Sequence, residues 1–246
     1  MDIVFILLLA LAMDLVLGEP HRTIHPVVWM GKAVSFLERG GRGQSPVAQF
    51  LYGLVMVLVI LALFIAPVYF ILTYLKGLNF VGYLIAGAVL LKTTFSLKEL
   101  RRAALKVRRL LQEDKLDEAR FELRSLVSAA VESVAEGACD SFIAPLFYFL
   151  LFGVPGAIGY RVVNTMDAMV GYHGKYEYLG KFASRLDDML NFIPARLTAL
   201  LLVLAFMSRN NGRASWRVAV TGHSQTESPN AGWPIAAIAG ALNVQL

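Results

Sequence analysis

Residues 44–75 of this chain contain no charged side chain, and this run restricts the fold more than any other feature. It exceeds the roughly 20 apolar residues that carry a helix across a bilayer. In hydrocarbon every backbone N–H and C=O must be satisfied within the segment, so the run is read as a transmembrane helix, with Pro67 expected to kink it. Composition agrees: 57% of the 246 residues are hydrophobic and 17% are charged, and the mean hydropathy is +0.60. Soluble domains of this size rarely have that balance. The expected class is all-α: a polytopic integral membrane protein with about four to five membrane helices, plus cytoplasmic and interfacial helices. Residues 1–246 are expected to form a single membrane domain.

Residues 3–17 are apolar apart from Asp14. They lack a basic leader region and a small-residue cleavage site, so they read as a retained first membrane segment rather than a signal peptide. Glu19-Pro20 and His25-Pro26 mark turns, because the residue before a proline avoids the helical region. Residues 27–37 read as a short interfacial helix with Trp29 at the headgroups, and Gly40, Gly41 and Gly43 as a flexible loop. Residues 77–97 make a second crossing, antiparallel to the first. Residues 141–160 are uncharged but broken by Pro145, Pro155 and three glycines. Spanning, and dipping in and returning around Gly153–Gly156, are both open there. Residues 192–207 are the last long apolar run, with Arg196 one turn inside. Residues 210–227 read as a polar loop, and the remainder as a turn followed by a small-residue helix.

The formal charge is +5. In a soluble protein that would raise nucleic acid as a partner. In a membrane protein it reflects basic residues gathered in cytoplasmic loops, so no nucleic acid is expected. Lys98–Arg109 carries six basic residues and one acid. Apolar residues recur through this region at helical spacing, with a break at Gln112–Lys115, so residues 98–126 read as a cytoplasmic helical hairpin. The first loop, with Arg22, Lys32, Arg39 and Arg42, falls on the same side, and the N-terminus outside. The single cysteine, Cys139, allows no internal disulfide.

Acids, amides and arginines concentrate between Val131 and Arg196, beside apolar runs where they are costly. Glu132, Glu136 and Asp140 repeat every four residues and would share one helix side. Three such carboxylates suit Mg²⁺; a solvated amphipathic face is the plainer alternative. Arg161, Asn164 and Asp167 would also lie close together. Arg161 and Arg196 suit bidentate binding of phosphate or carboxylate, or else ion pairing to Asp167 or Asp187. Asp187, Asp188, Asn191 and Arg196 cluster at the mouth of an apolar run. Asp187-Asp188 suits a second metal or a general base, or an interfacial acid pair. His25 and His223 sit beside turns, without metal-ligand spacing. Ser228–Trp233 reads as a turn that caps the last helix, with Trp233 at the interface. GxxxxGK[ST], GxGxxG, HExxH and CxxC do not occur.

Longer blocks carry a resemblance. DLVLGEP, HPVVWMGK, AAVESVAEGACDSFIAPLFY, GYRVVNTMDAMVGY, SRLDDMLNFIPARLTALLL and SPNAGWP occur in that order along nearly the whole chain. Together they resemble the adenosylcobinamide-phosphate synthase family of cobalamin biosynthesis (CbiB/CobD). The resemblance implies an inner-membrane, multi-pass enzyme with its main polar loops cytoplasmic. Such an enzyme joins adenosylcobyric acid to aminopropanol or its phosphate in an ATP-coupled amide ligation. It implies ATP and Mg²⁺ as cofactors and a corrinoid and an amine as substrates. The lipid bilayer is a further partner, and other corrinoid-pathway membrane enzymes or a second copy of the chain are possible ones. Under it, Glu132, Glu136 and Asp140 are expected to hold Mg²⁺-ATP, and Arg161 and Arg196 to bind phosphate. Asp187, Asp188 and His25 are expected as catalytic groups. Asp14, Glu19, Asn164, Asp167, Asn191, Ser228 and Asn230 complete the substrate and ATP site.

Three departures accompany the resemblance. Members usually carry an Arg-Asp-Thr segment between the counterparts of Val127 and Ser128, have Asn at Gly137, and continue beyond the last helix. A non-catalytic membrane sensor of the same fold is the competing reading. A transporter fits less well, because the polar residues lie near run ends and no inverted repeat is present.

Overall fold

The computed structural model describes residues 2–18, 23, 25–41, 43, 45–112, 120–172, 174, 176–208, 211–226 and 228–244, with side chains outside 106–127. Ten helices of the α type occur among them: α1 (Asp2–Leu17), α2 (Pro26–Leu37), α3 (Pro46–Leu78), α4 (Phe80–Lys92), α5 (Leu97–Gln112), α6 (Arg120–Ala138), α7 (Ala144–Val170), α8 (Lys181–Met207), α9 (Gly212–Gly222) and α10 (Gly232–Leu242). The described residues contain no strand. Four stretches are long and apolar enough to cross a membrane: Pro46–Leu78, Phe80–Leu105 (helical except at 93–96), Ser128–Val170 and Lys181–Met207. The protein is an all-α membrane protein. α1 is apolar but only 16 residues long, about 24 Å at 1.5 Å per residue. The chain separates into two compact units, Met1–Ser96 with Pro145–Leu190, and Leu97–Ala144 with Asn191–Leu246.

In the first unit, local sequence sets the helix ends. His25 caps α2, its Nδ1 accepting from the Val27 N–H at 3.2 Å. Ser45 caps α3, with Pro46 at the first helical position, where no backbone donor is missed. Asn79 closes α3 and starts α4: its N–H donates to the Leu75 carbonyl, and its side-chain oxygen accepts from the Gly82 N–H at 3.0 Å. One residue thus turns the chain between two membrane segments. α4 stops at Lys92, short of the expected Leu97, because the hydroxyls of Thr93 and Thr94 fold back onto the carbonyls of Leu90 and Leu91 at 2.7 Å. α4 packs on both α1 and α3. Within that packing Lys92 Nζ lies 3.6 Å from Asp14 Oδ1, both side chains buried.

The open reading of residues 141–160 resolves into helix on both sides of one break. Gly153 has φ 68° and ψ −161°, a region essentially confined to glycine. Pro155 follows without an N–H to continue the ladder. Beyond the break Tyr160 is buried and stacks on Tyr148 at 5.4 Å. The Tyr148 hydroxyl donates to the Leu190 carbonyl at 2.8 Å.

In the second unit α5 packs on α6, and α10 packs on both α6 and α9. The expected hairpin break at Gln112–Lys115 falls mostly outside the described residues. α6 runs through a π-helical turn, Cys139–Ile143, into α7; the Ala144 N–H bonds the Cys139 carbonyl five residues back. Val131 and Ala135 of α6 meet Ile235 and Ile238 of α10. Ala199 and Val203 of α8 meet Ala219 and Ala237. Small residues set the α9–α10 spacing. A Cβ on Gly240 would sit 2.7 Å from the Ala214 carbonyl oxygen, and the buried Ser215 hydroxyl donates to the Ala237 carbonyl at 2.7 Å.

Two expected elements need correction. Residues 212–222, expected within a polar loop, form α9. Its buried side is Gly212, Ser215 and Ala219, a helical stripe whose members are too small or polar to register as hydrophobic. α8 begins at Lys181, ahead of the apolar run 192–207, so Asp187, Asp188 and Asn191, expected at the mouth of that run, lie inside the helix that contains it. Ala183, Asp187, Asn191 and Ala195 are all buried and recur every four residues. Half of that stripe is polar, which hides it from a hydropathy reading.

Candidate functional site

A cavity of about 810 Å³ in the second unit is lined by Glu132 and Glu136 of α6, Val218 and Thr221 of α9, Thr226 and Ser228 of the following turn, and Ile235 of α10, among others. The two acids share one face because they are four residues apart on a regular helix. Glu132 is half-buried and accepts from the Ser128 hydroxyl at 3.0 Å. Glu136 feels the charges of both Asp140 and Glu132. Asp140 lies in the π turn and does not line the cavity. Its charge still acts on Glu136, so it stays beside the pair without opening into the same space. Among the described residues, no three His, Cys, Asp or Glu side chains converge closely enough to hold a metal by themselves. Two carboxylates facing open space still fit Mg²⁺, which commonly takes one or two carboxylates and fills its octahedron with phosphate oxygens and waters.

The turn before α10 connects this cavity to an arginine. Ser228 Oγ accepts from the N–H groups of Asn230 and Ala231 at 3.3 Å, and the Thr226 hydroxyl donates to the Ser228 carbonyl at 2.8 Å. The folded turn buries Asn230, whose side-chain oxygen accepts from Arg196 at 3.3 Å. Arg196 also donates to the Phe192 carbonyl at 2.6 Å. Its guanidinium lies 3.6 Å from the Phe192 ring centre and 5.1 Å from that of Trp233. Trp233 stacks in turn on His223, with ring centres 4.1 Å apart and planes 8° from parallel. Arg196 has no carboxylate partner among the described residues: aromatic faces and an amide hold it, rather than the ion pair to Asp167 or Asp187 that was its alternative reading. Asn191 is buried and accepts from the Cys139 thiol at 3.9 Å.

In the first unit, Arg161 donates to the Asn164 side chain at 3.2 Å, as the three-residue spacing implied. Asp167 feels the Ser184 hydroxyl and the charge of Asp188, so α7 and α8 bring two of the expected acids together. Asp188 also feels Arg185. Asp187 is buried and acts electrostatically on Tyr148. His25 serves as the α2 cap, and Asp14 is ion-paired to Lys92. Glu19 lies outside the described residues. Sequence reasoning missed Lys92, Ser184, Tyr148 and the His223–Trp233 stack. Lys92 carried a usable signal: an ionisable residue within an apolar run generally has a buried partner.

Fold and site together define a polytopic helical membrane protein with a carboxylate-lined cavity and an aromatic-clamped arginine. Comparison with known proteins narrows the class. A protein-family profile described as CobD/Cbib protein matches residues 7–246. The cobalamin biosynthesis protein CobD of Dehalococcoides mccartyi is 54% identical over 260 residues, covering 100% of this chain and 84% of that protein. The probable cobalamin biosynthesis protein CobD of Methanothermobacter thermautotrophicus is 42% identical, with the same coverage. The cobalamin biosynthesis protein CobD of Klebsiella pneumoniae is 38% identical, covering 95% of this chain and 79% of that protein. No solved structure matches. The chain belongs to the CobD/CbiB family and has a role in cobalamin biosynthesis. The Dehalococcoides alignment is longer than the 246 residues of this chain, so that relative carries positions with no counterpart here.

Proposed function

We propose that this protein catalyses the ATP-dependent joining of adenosylcobyric acid to aminopropanol or its phosphate at the cell membrane, with its main polar loops cytoplasmic. The observation that supports this reading most is the cavity of about 810 Å³ into which Glu132, Glu136 and Ser228 all open. These residues come from two of the blocks that carry the family resemblance.

The chemistry assigns work to the residues. A carboxylate is a poor electrophile. Its oxygen must first bond the terminal phosphorus of ATP, with the bond to ADP breaking, to give an acyl phosphate. The amine nitrogen then bonds the carbonyl carbon, inorganic phosphate leaves, and the nitrogen loses a proton. Glu132 and Glu136 are the acids that would hold Mg²⁺, which when bound offsets charge on the phosphate oxygens. Arg196 offers unused N–H donors on a guanidinium fixed by Phe192 and Asn230, a preorganised anion contact. Arg161 is the second phosphate-binding candidate. Asp187 or Asp188 takes the amine proton.

The test is a turnover assay on detergent-solubilised protein given adenosylcobyric acid, either amine and Mg²⁺-ATP, with the amide followed by mass. Product is expected, and Glu136→Gln is expected to lower the rate roughly 100-fold or more. No product from folded protein with either amine refutes the ligase reading. Full turnover in the variant refutes only the metal assignment.

A further inference from the structure

A second concavity, of about 690 Å³, lies between the end of α8 and α9. That size falls within the range of about 300–1,000 Å³ typical of ligand sites. Its floor is hydrocarbon: Leu200, Leu204 and Met207 from α8 and Val220 from α9. Its rim is cationic. Arg213 and Arg217 line it one helical turn apart, with Trp216 between them in sequence, and all three side chains are exposed. Neither guanidinium has a hydrogen-bond or ion-pair partner among the described residues, although the Arg217 backbone carbonyl accepts from the Thr221 hydroxyl at 2.9 Å. Residues 189–226 contain no acid at all, so nothing in the surrounding sequence neutralises the pair. This contrasts with the other cavity, which has acids in its lining.

We propose that this groove binds an anionic phospholipid, with an acyl chain along the α8 floor and the headgroup phosphate between Arg213 and Arg217. The occupant follows from the pairing of surfaces. An apolar trough beside a membrane-spanning helix excludes a purely ionic ligand. Two unpaired guanidiniums at its rim select for an anion over a zwitterion. Trp216 beside them suits the headgroup level. α9 is amphipathic in the matching sense, burying Gly212, Ser215 and Ala219 against the unit while turning Arg213, Trp216 and Arg217 outward. The site is not the proposed catalytic cavity, although α9 forms a wall of both and Thr221 lines each.

Fluorescence quenching tests this without any turnover. The protein is reconstituted in phosphatidylcholine vesicles containing either brominated phosphatidylglycerol or brominated phosphatidylcholine at equal fraction. Trp216→Phe identifies its share of the signal among the three tryptophans. The anionic lipid is expected to quench Trp216 more strongly. Its preference should fall roughly fivefold for each arginine removed in Arg213→Gln and Arg217→Gln, while Arg213→Lys with Arg217→Lys keeps most of it. Both glutamine changes are on exposed positions and spare the fold. Equal quenching by the two lipids, or a preference that survives the double glutamine variant, overturns the proposal. So does release of the anionic lipid by inorganic phosphate at chloride-matched ionic strength, which would make the arginines a site for a free anion.

Discussion

Replacing Asp14 with Asn should destabilise the protein severely, and the cost can be worked from one distance. Lys92 Nζ lies 3.6 Å from Asp14 Oδ1, and both side chains are buried. At an effective dielectric constant near 20, unit charges at that separation attract by about 4–5 kcal/mol. Removing one partner of a buried pair costs about 3–5 kcal/mol, because the other charge stays buried and uncompensated. Lys92 Nζ has no hydrogen-bond partner to fall back on among the described residues, and α4 offers it no water in hydrocarbon. At about 2–4 °C per kcal/mol for a chain of this length, Asp14→Asn should lower the midpoint of thermal unfolding in detergent by roughly 6–20 °C. Replacing both partners, Asp14→Leu with Lys92→Met, removes both charges and should recover most of that loss. The assay is near-UV circular dichroism on heating, with all three proteins in one detergent. A single variant within about 1 kcal/mol of the parent would refute the reasoning. So would a double variant as unstable as the single one.

Gly153→Ala forces a Cβ onto a backbone at φ 68° and ψ −161°. It should cost about 1–3 kcal/mol, read as a lower unfolding midpoint in the same assay. Arg196→Lys keeps the charge but loses the planar face seated on Phe192 and the fork that reaches Asn230. It should lower turnover by roughly tenfold with little change in unfolding midpoint; equal turnover would remove Arg196 from the proposed site.

Long apolar runs were the most legible part of the chain. Residues 44–75 announced α3, and SPNAGWP announced the turn into α10, because an uncharged run and a proline-glycine turn each leave few conformations open. What stayed hidden was hidden for physical reasons. The buried stripe of α8 contains Asp187 and Asn191, and that of α9 contains glycine and serine, so neither raises a hydrophobic signal although both are helix faces. Glu132 and Glu136 were readable as neighbours from spacing alone. Asp140 follows at the same spacing but lies in a π turn that nothing in Cys139–Ile143 advertises. Contacts between distant stretches, such as Arg196 with Asn230 and His223 with Trp233, depend on tertiary packing that no local period encodes.

The π turn also leaves the chain room to change length. Between Cys139 and Ile143 the helix carries a residue beyond what ordinary winding needs. A one-residue deletion there can be absorbed by closing the turn to i→i+4 bonding, which leaves the helix continuous. The same deletion two turns earlier would rotate every later side chain by about 100°, carrying Glu132 or Glu136 away from its neighbours. A one-residue deletion is therefore tolerated in this stretch where the same change in the regular part of α6 is not.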